Sequence, residues 1–404
     1  MSPTAPPPYR FVIVAAVASA SFLGNFVIFQ MAGLAPRIME LAHLSGNQFG
    51  MIVGIALLTA AVLGLPLGAL GDKAGVKPVA AAAIGVTFIG CLGRYFAEPT
   101  LSSYLFWMFL IGAANAALNA NFIKILGVWL PPSGIGVGVG LYLTGIGLGQ
   151  AVAIASGPRF DSLSDAYLFS VILAAVVGVL WVLLIKNPPG LPERRPQPMM
   201  ESLKFVAGKK DVWLGGVGMF LMLGSYVCLT SFAAQFLTDE LGVPEKNASV
   251  CASLIAAFML LGALSAARLA RLVGRSKIFL LLTGLASCLG TILAARTNFG
   301  PHTPALLSLA GFGVGVFSSF VLSLPMLLSY IGEKNAGSAG GLISSLQSAG
   351  GFLLPMLFPV LAGEALPTLM VWIAAAFALM GLSGLALPEL VRKGTERDQS
   401  EDAR

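Results

Sequence analysis

Charge is what this chain has least of. Only 10% of its 404 residues are Asp, Glu, Lys or Arg, while 57% are hydrophobic; a water-soluble domain carries about 25% charged residues. Histidine is nearly absent, with His43 and His302 alone, both in connecting segments. The four cysteines (Cys91, Cys228, Cys251, Cys288) fall inside apolar stretches without ligand spacing. Neither a metal centre nor a disulfide framework is expected from them. No glycine loop leads into Lys-Ser or Lys-Thr, and no soluble nucleotide-binding domain exists, so nucleotide-driven work is excluded. No grouping of Ser, His, Cys and carboxylate suggests catalysis. We therefore expect no catalytic residue, no metal, no cofactor and no enzyme activity, and the net charge of +6 is not a nucleic-acid signature.

What fills the chain instead is twelve long apolar stretches, read as spans 11–35, 46–68, 78–97, 101–127, 134–157, 165–186, 212–237, 247–268, 277–296, 303–330, 335–362 and 367–387. Each holds the roughly 20 apolar residues that cross a bilayer as helix. Continuous apolarity, rather than alternation, argues helices over a barrel. The first stretch is too long, and its start too poor in basic residues, for a cleaved signal peptide. With the N-terminus inside, only Arg37, Arg94, Arg159, Lys246 and Arg296 of the 24 basic residues fall outside. That asymmetry places both termini in the cytoplasm of a multi-pass inner-membrane protein.

No acidic, basic or histidine side chain lies near the middle of any span. Glu40, Glu98, Asp161, Asp239 and Glu364 sit at outer ends or loops, and Asp72 and Glu333 at inner ones. A mid-membrane carboxylate relay, the usual means of handling protons there, is therefore not expected.

The chain divides at one long polar connection, 187–210, rich in proline and basic residues and read as stiff and extended at the anionic inner leaflet. It separates an N-terminal six-helix bundle (1–186) from a C-terminal one (211–390), and a charged tail, 391–404, is expected to be disordered. The loop after the second span carries Gly68, Asp72, Lys73, Gly75 and Lys77; the loop after the eighth runs from Arg268 to Lys277 around Gly274. Gly75 and Gly274 are 199 residues apart, as are Gly112 and Gly311. A duplicated six-helix unit is a transporter architecture, with its site near the midplane between the halves.

On the spacing of Gly68, Asp72, Lys73, Gly75 and Lys77 the chain resembles the major facilitator superfamily, of bacterial type, over essentially its whole length, although Val76 stands where the family carries a further basic residue. The resemblance implies an all-α membrane fold of twelve helices in two pseudo-symmetric bundles, alternating access, and a monomer that works alone. It implies that Asp72 meets the N-terminus of the eleventh span near Asn335, where the helix dipole favours a carboxylate, making the motif a conformational latch for the outward-open state. Two family features are missing. Met108 replaces the arginine that many proton-linked members carry in the fourth span, and the fifth span lacks the Gly-Pro of drug antiporters.

The family's cavity-lining spans are also where the polar residues fall. Asn25, Asn115, Asn119, Tyr142, Tyr226, Ser318 and Gln347 are the expected substrate-binding residues; Asn115 and Asn119 are one turn apart and share a face. Arg37 and Arg94, toward the outer ends of the first and third spans, suit an intake funnel for a monoanion, with snorkelling to the interface as the plainer alternative. The leading expectation is a carrier for a small neutral, weakly acidic or monoanionic organic solute. Export of apolar drugs or lipid-like amphiphiles, and a transporter fold used as a sensor or assembly factor without flux, are the alternatives.

Overall fold

The computed structural model describes residues 7–130, 132–185, 199–328, 330–363 and 365–389. Among them are fourteen α-helices and no strand: α1 (Pro7–Gly33), α2 (Ala35–Leu41), α3 (Gly46–Ala74), α4 (Val76–Phe96), α5 (Leu101–Trp129), α6 (Pro132–Ser156), α7 (Leu163–Leu184), α8 (Met199–Ala207), α9 (Lys210–Asp239), α10 (Glu245–Val273), α11 (Ser276–Arg296), α12 (His302–Leu327), α13 (Gly332–Leu361) and α14 (Leu366–Ala386). Twelve are long and apolar enough to cross a membrane, all but α2 and α8. The protein is an all-α multi-pass membrane protein. The large apolar side chains it leaves exposed, such as Leu183 and Val182 on α7 and Leu264 on α10, form the surface a bilayer covers.

Three local features depart from the sequence reading. The first span stops at Gly33, and a separate helix restarts with Pro36 in its first turn, where a missing N–H costs nothing. The second continues to Ala74, so Gly68, Asp72 and Lys73 lie on the final turns of α3 rather than in a loop. Within the connection 187–210, residues after Pro198 coil into α8, with Ser202 and Val206 buried one turn apart. Ser202 Oγ donates to Asn335 Oδ1 on α13 at 2.8 Å. Residues 187–198 and the tail 391–404 lie outside the described residues.

The internal repeat is visible in backbone geometry. α3 breaks at Gly75 with φ +92°, and α10 breaks at Gly274 with φ +68°, conformations that a side chain resists. A Cβ on Gly112 would meet the Ala56 backbone at 2.5 Å, and one on Gly311 the Ile255 backbone at 2.1 Å. Ala56 and Ile255 are themselves 199 residues apart. The α3–α5 approach in the first half is thus repeated as the α10–α12 approach in the second. The two halves meet chiefly where α3 packs on α13 and α6 on α10.

Candidate functional site

The two faces of the bundle differ. We call the one carrying Lys73, Lys77, Arg271 and Lys277 the basic face. At the opposite face the halves are sealed. Gly46, Gly50 and Gly54, at four-residue spacing, form one smooth stripe on α3. Pro359, Pro355 and Phe352 of α13 lie against it so closely that a Cβ on Gly50 would stand 1.9 Å from the Pro355 carbonyl oxygen. Phe49 meets Phe232 of α9 edge-on at 6.0 Å between ring centres. Arg37 closes the rim: one nitrogen pairs with Glu245 of the second half at 3.5 Å, and another donates to the Phe160 carbonyl at 2.6 Å. Toward the basic face, open space appears beside several glycines among the described residues. Gly64, Gly140, Gly340 and Gly341 have nothing within 4 Å of where a Cβ would stand. Among the described residues, the bundle is shut at one face and parts toward the other.

At mid-depth a chain of hydrogen bonds crosses between the halves. Tyr226 on α9, fully buried, donates its hydroxyl to Gln150 Oε1 on α6 at 2.5 Å. Gln150 Nε2 donates to Asn25 Oδ1 on α1 at 3.1 Å, and Asn25 Nδ2 to the Ser21 carbonyl at 3.0 Å. The Phe29 ring packs 6.1 Å from that of Tyr226. One to two turns nearer the basic face, Tyr142 donates to Asn119 Oδ1 at 3.0 Å, joining α6 to α5; Asn119 is half-buried. These groups are amides and phenols, able to orient hydrogen-bonding solutes without carrying formal charge.

Of the expected site residues, Asn25 and Tyr226 are brought together through Gln150, and Asn119 and Tyr142 meet directly. Asn115 is 7% exposed and its Oδ1 has no partner; it points at Gly24 of α1, 2.4 Å from where a Cβ would stand there. A larger residue at position 24 would collide with it. Ser318 bonds its own helix at the Gly315 carbonyl, the local alternative open to any helical serine. Gln347 is half-buried on α13. Arg37 belongs to the seal. Arg94 is neither at the rim nor at an interface but 3% exposed inside the first half. In the motif, Gly68 faces Ala120 of α5 and its carbonyl accepts from Lys124 at 2.7 Å. Lys73 is exposed, and the Lys77 carbonyl accepts from Trp181 at 3.4 Å. The Asp72 side chain lies outside the described residues. Gln150 was not among the residues expected to bind substrate, and its role as pivot becomes visible once α6 and α9 are juxtaposed. The glycine stripe of α3 carried a readable signal, its spacing of four.

The model of the Major Facilitator Superfamily matches residues 14–355 and again 214–403. The chain belongs to the major facilitator superfamily. Like other members of this superfamily it is a membrane transporter handling a small solute, and its fold is that of a carrier. The nitrite extrusion protein of Bacillus subtilis (strain 168) is 24% identical over 353 residues, 84% of each chain. The uncharacterized transporter YybO of the same organism is 28% identical over 127 residues, 31% of this chain and 29% of that one. Among solved structures, a bacterial homologue of the human lysosomal transporter Spinster, in its inward-facing and unoccupied conformation, superposes with a TM-score of 0.75 at 17% identity, over 95% of this chain and 94% of that one. A mutant of the nucleoside transporter NupG gives 0.77 at 16% identity, over 93% and 99%. These likenesses establish the superfamily fold for the whole bundle.

Proposed function

We propose that this protein moves a small organic solute, neutral or weakly acidic and monoanionic, across the cytoplasmic membrane by alternating access, with no carboxylate relay at mid-membrane. The observation that carries the reading is the chemistry of the mid-depth groups. Asn25, Gln150 and Tyr226 form the chain of bonds that crosses between the halves, Asn119 and Tyr142 bond each other nearer the basic face, and no Asp, Glu or His stands beside them among the described residues. Proton coupling, where it occurs, then travels on the solute itself; uniport and solute exchange are the other schemes this chemistry allows.

The basic face is the cytoplasmic one, following the distribution of Lys and Arg. The conformation described above is therefore inward-open, and both termini are cytoplasmic. In the reverse state the basic-face halves of α3 and α13 come together, and Asp72, with Gly68, Lys73, Gly75 and Lys77, latches them near Asn335. The chain works as a monomer, with one six-helix bundle on each side of the connection.

A thermal-shift screen of purified protein against organic acids, their amides, sugars, amino acids and amphiphilic cations tests the reading, because a ligand that binds the folded state raises its apparent stability. A shift from a small polar solute that disappears in Asn119→Ala and Tyr226→Ala, and persists in Asp72→Asn, supports the central site. Shifts confined to amphiphiles would replace the reading with export of apolar compounds, and shifts indifferent to both central substitutions would remove the site from this cleft.

A further inference from the structure

Arg94 is a buried cation without a counter-ion among the described residues. It projects from α4 into the core of the first half and is 3% exposed. One terminal nitrogen donates to the Val27 carbonyl at 3.1 Å and touches Met31 Sδ at 3.2 Å and Met108 Sδ at 3.7 Å. The other lies 3.4 Å from Gln30 Oε1 and 4.0 Å from Cys91 Sγ. The Tyr167 ring lies 5.3 Å from the guanidinium carbon, and the buried Nε has no partner. Every contact is neutral. α1, α4 and α5 contain no acidic residue at all. The acid on α7, Asp165, is engaged with Ser162, and Glu98 in the α4–α5 connection is exposed. Met108, on α5, stands where many proton-linked relatives carry an arginine, and the guanidinium beside it comes from α4.

An arginine stays protonated inside proteins, and an uncompensated buried charge is costly, so its positive field extends through the surrounding apolar core. α1 lies between that charge and the bonds that cross the halves: Asn25 bonds Gln150 of α6, while Val27 and Gln30 bond Arg94 of α4. A helix is about 10–12 Å thick, which sets the distance from guanidinium to cleft at roughly one helix diameter. We infer that Arg94 acts through α1 as a fixed positive field on the central site and makes the transported solute a monoanion. This rests on the central-site reading above. At about 10 Å and an effective dielectric of about 20, the attraction corresponds to roughly tenfold in affinity for a monoanion over its neutral isostere. Arg94 would be a positioning charge that never touches the solute.

The test is a binding panel of matched pairs on the full-length protein: acetate and acetamide, lactate and lactamide, benzoate and benzamide, with nitrite as a small inorganic monoanion. The expected result is that the acid of any pair that binds does so about tenfold more tightly than the amide. Gln30→Glu places a carboxylate against Arg94 while leaving the arginine in position, and it gives up the bond from Gln30 Nε2 to the Ala166 carbonyl at 2.8 Å; it should collapse the ratio toward one in protein that still folds, with a lower melting temperature. Arg94→Lys keeps the charge and should keep most of the preference. Amides binding as well as their acids, a preference that survives Gln30→Glu, or no binding by any monoanion would each overturn the inference. If the acid preference falls in Gln30→Glu but ignores Asn119→Ala and Tyr226→Ala, the charge acts as inferred and the central-site reading is what fails. If binding needs those two residues but is blind to charge, the site stands and the role of Arg94 falls.

Discussion

Replacing Gly50 by alanine should unseal the face opposite the basic loops. The added Cβ would stand 1.9 Å from the Pro355 carbonyl oxygen, 2.4 Å from its carbon and 3.0 Å from the Met356 nitrogen, all backbone atoms of α13. Ordinary contact begins near 3.4 Å, so α13 must retreat by about 1.5 Å along a stretch that α9 also holds. Overpacking of this size costs about 1–3 kcal/mol. The cost falls only on the state sealed at this face, because the state open here has no α13 backbone against Gly50. A differential of about 2 kcal/mol is a shift of about 30-fold, enough to turn a 99:1 population into roughly 3:1. Spin labels at Glu98 and Glu240, both exposed and on opposite halves, would read it by pulsed distance measurement after the four cysteines are replaced. The expected outcome is a second, longer distance in Gly50→Ala. Gly64→Ala is the control: with nothing within 4 Å, it should leave the present state intact and gain the helix preference of alanine, about 1 kcal/mol. An unchanged distance distribution in Gly50→Ala would refute the claim that α3 and α13 form the seal.

Other predictions concern single bonds. Tyr226→Phe leaves Gln150 Oε1 buried without its donor, an expected loss of about 1–3 kcal/mol, measurable as a lower melting temperature and a population shift toward the state open at the opposite face. The Arg37–Glu245 pair is about a third exposed on each side, so a double-mutant cycle should return no more than about 1 kcal/mol, shrinking as salt is raised; a larger, salt-independent coupling would make it a main fastener of the seal. At the end of α14, partial burial pushes the Glu389 carboxyl upward, but hydrogen bonds from the Ser276 hydroxyl and backbone N–H, with Lys277 nearby, outweigh it and hold the group below its usual range. A depressed carboxyl stabilises the fold above its unfolded value and loses that contribution as pH falls through the lower folded value. Acid melting of Glu389→Gln should therefore be flatter than wild type in that window, and an equal slope would contradict the assignment.

The twelve spans and the superfamily were legible in the sequence because hydropathy is averaged over twenty residues and because a motif with fixed spacing marks the end of the second span. Features that depend on one or two residues were less so. α2 restarts on Pro36, a signal present but lost within an apolar run. α8 was hidden by the prolines that precede it. The polar residues were correctly assigned to helices, yet which neighbour each one faces is a tertiary property. Gln150 becomes a pivot only because α9 brings Tyr226 to it, and Asn115 is shut against Gly24. Arg94 was read as an intake or snorkelling residue; the packing of α1 against α4 instead turns it onto Gln30. The stripe of Gly46, Gly50 and Gly54 was visible as spacing, while its partner, the proline-containing end of α13, was not.

The central claim is carrier-type transport of a small solute without a titrating group of the protein at mid-membrane. Counterflow in proteoliposomes tests it most directly: vesicles are loaded with the solute found by thermal shift, labelled solute is added outside, and external pH is varied with the gradient collapsed by a protonophore. The account predicts a transient accumulation of label whose rate follows the ionisation of the solute alone between about pH 5 and 8, the range in which a perturbed carboxyl or histidine would titrate. No accumulation of a solute that binds, or a rate that titrates with a group the solute does not possess, would contradict it.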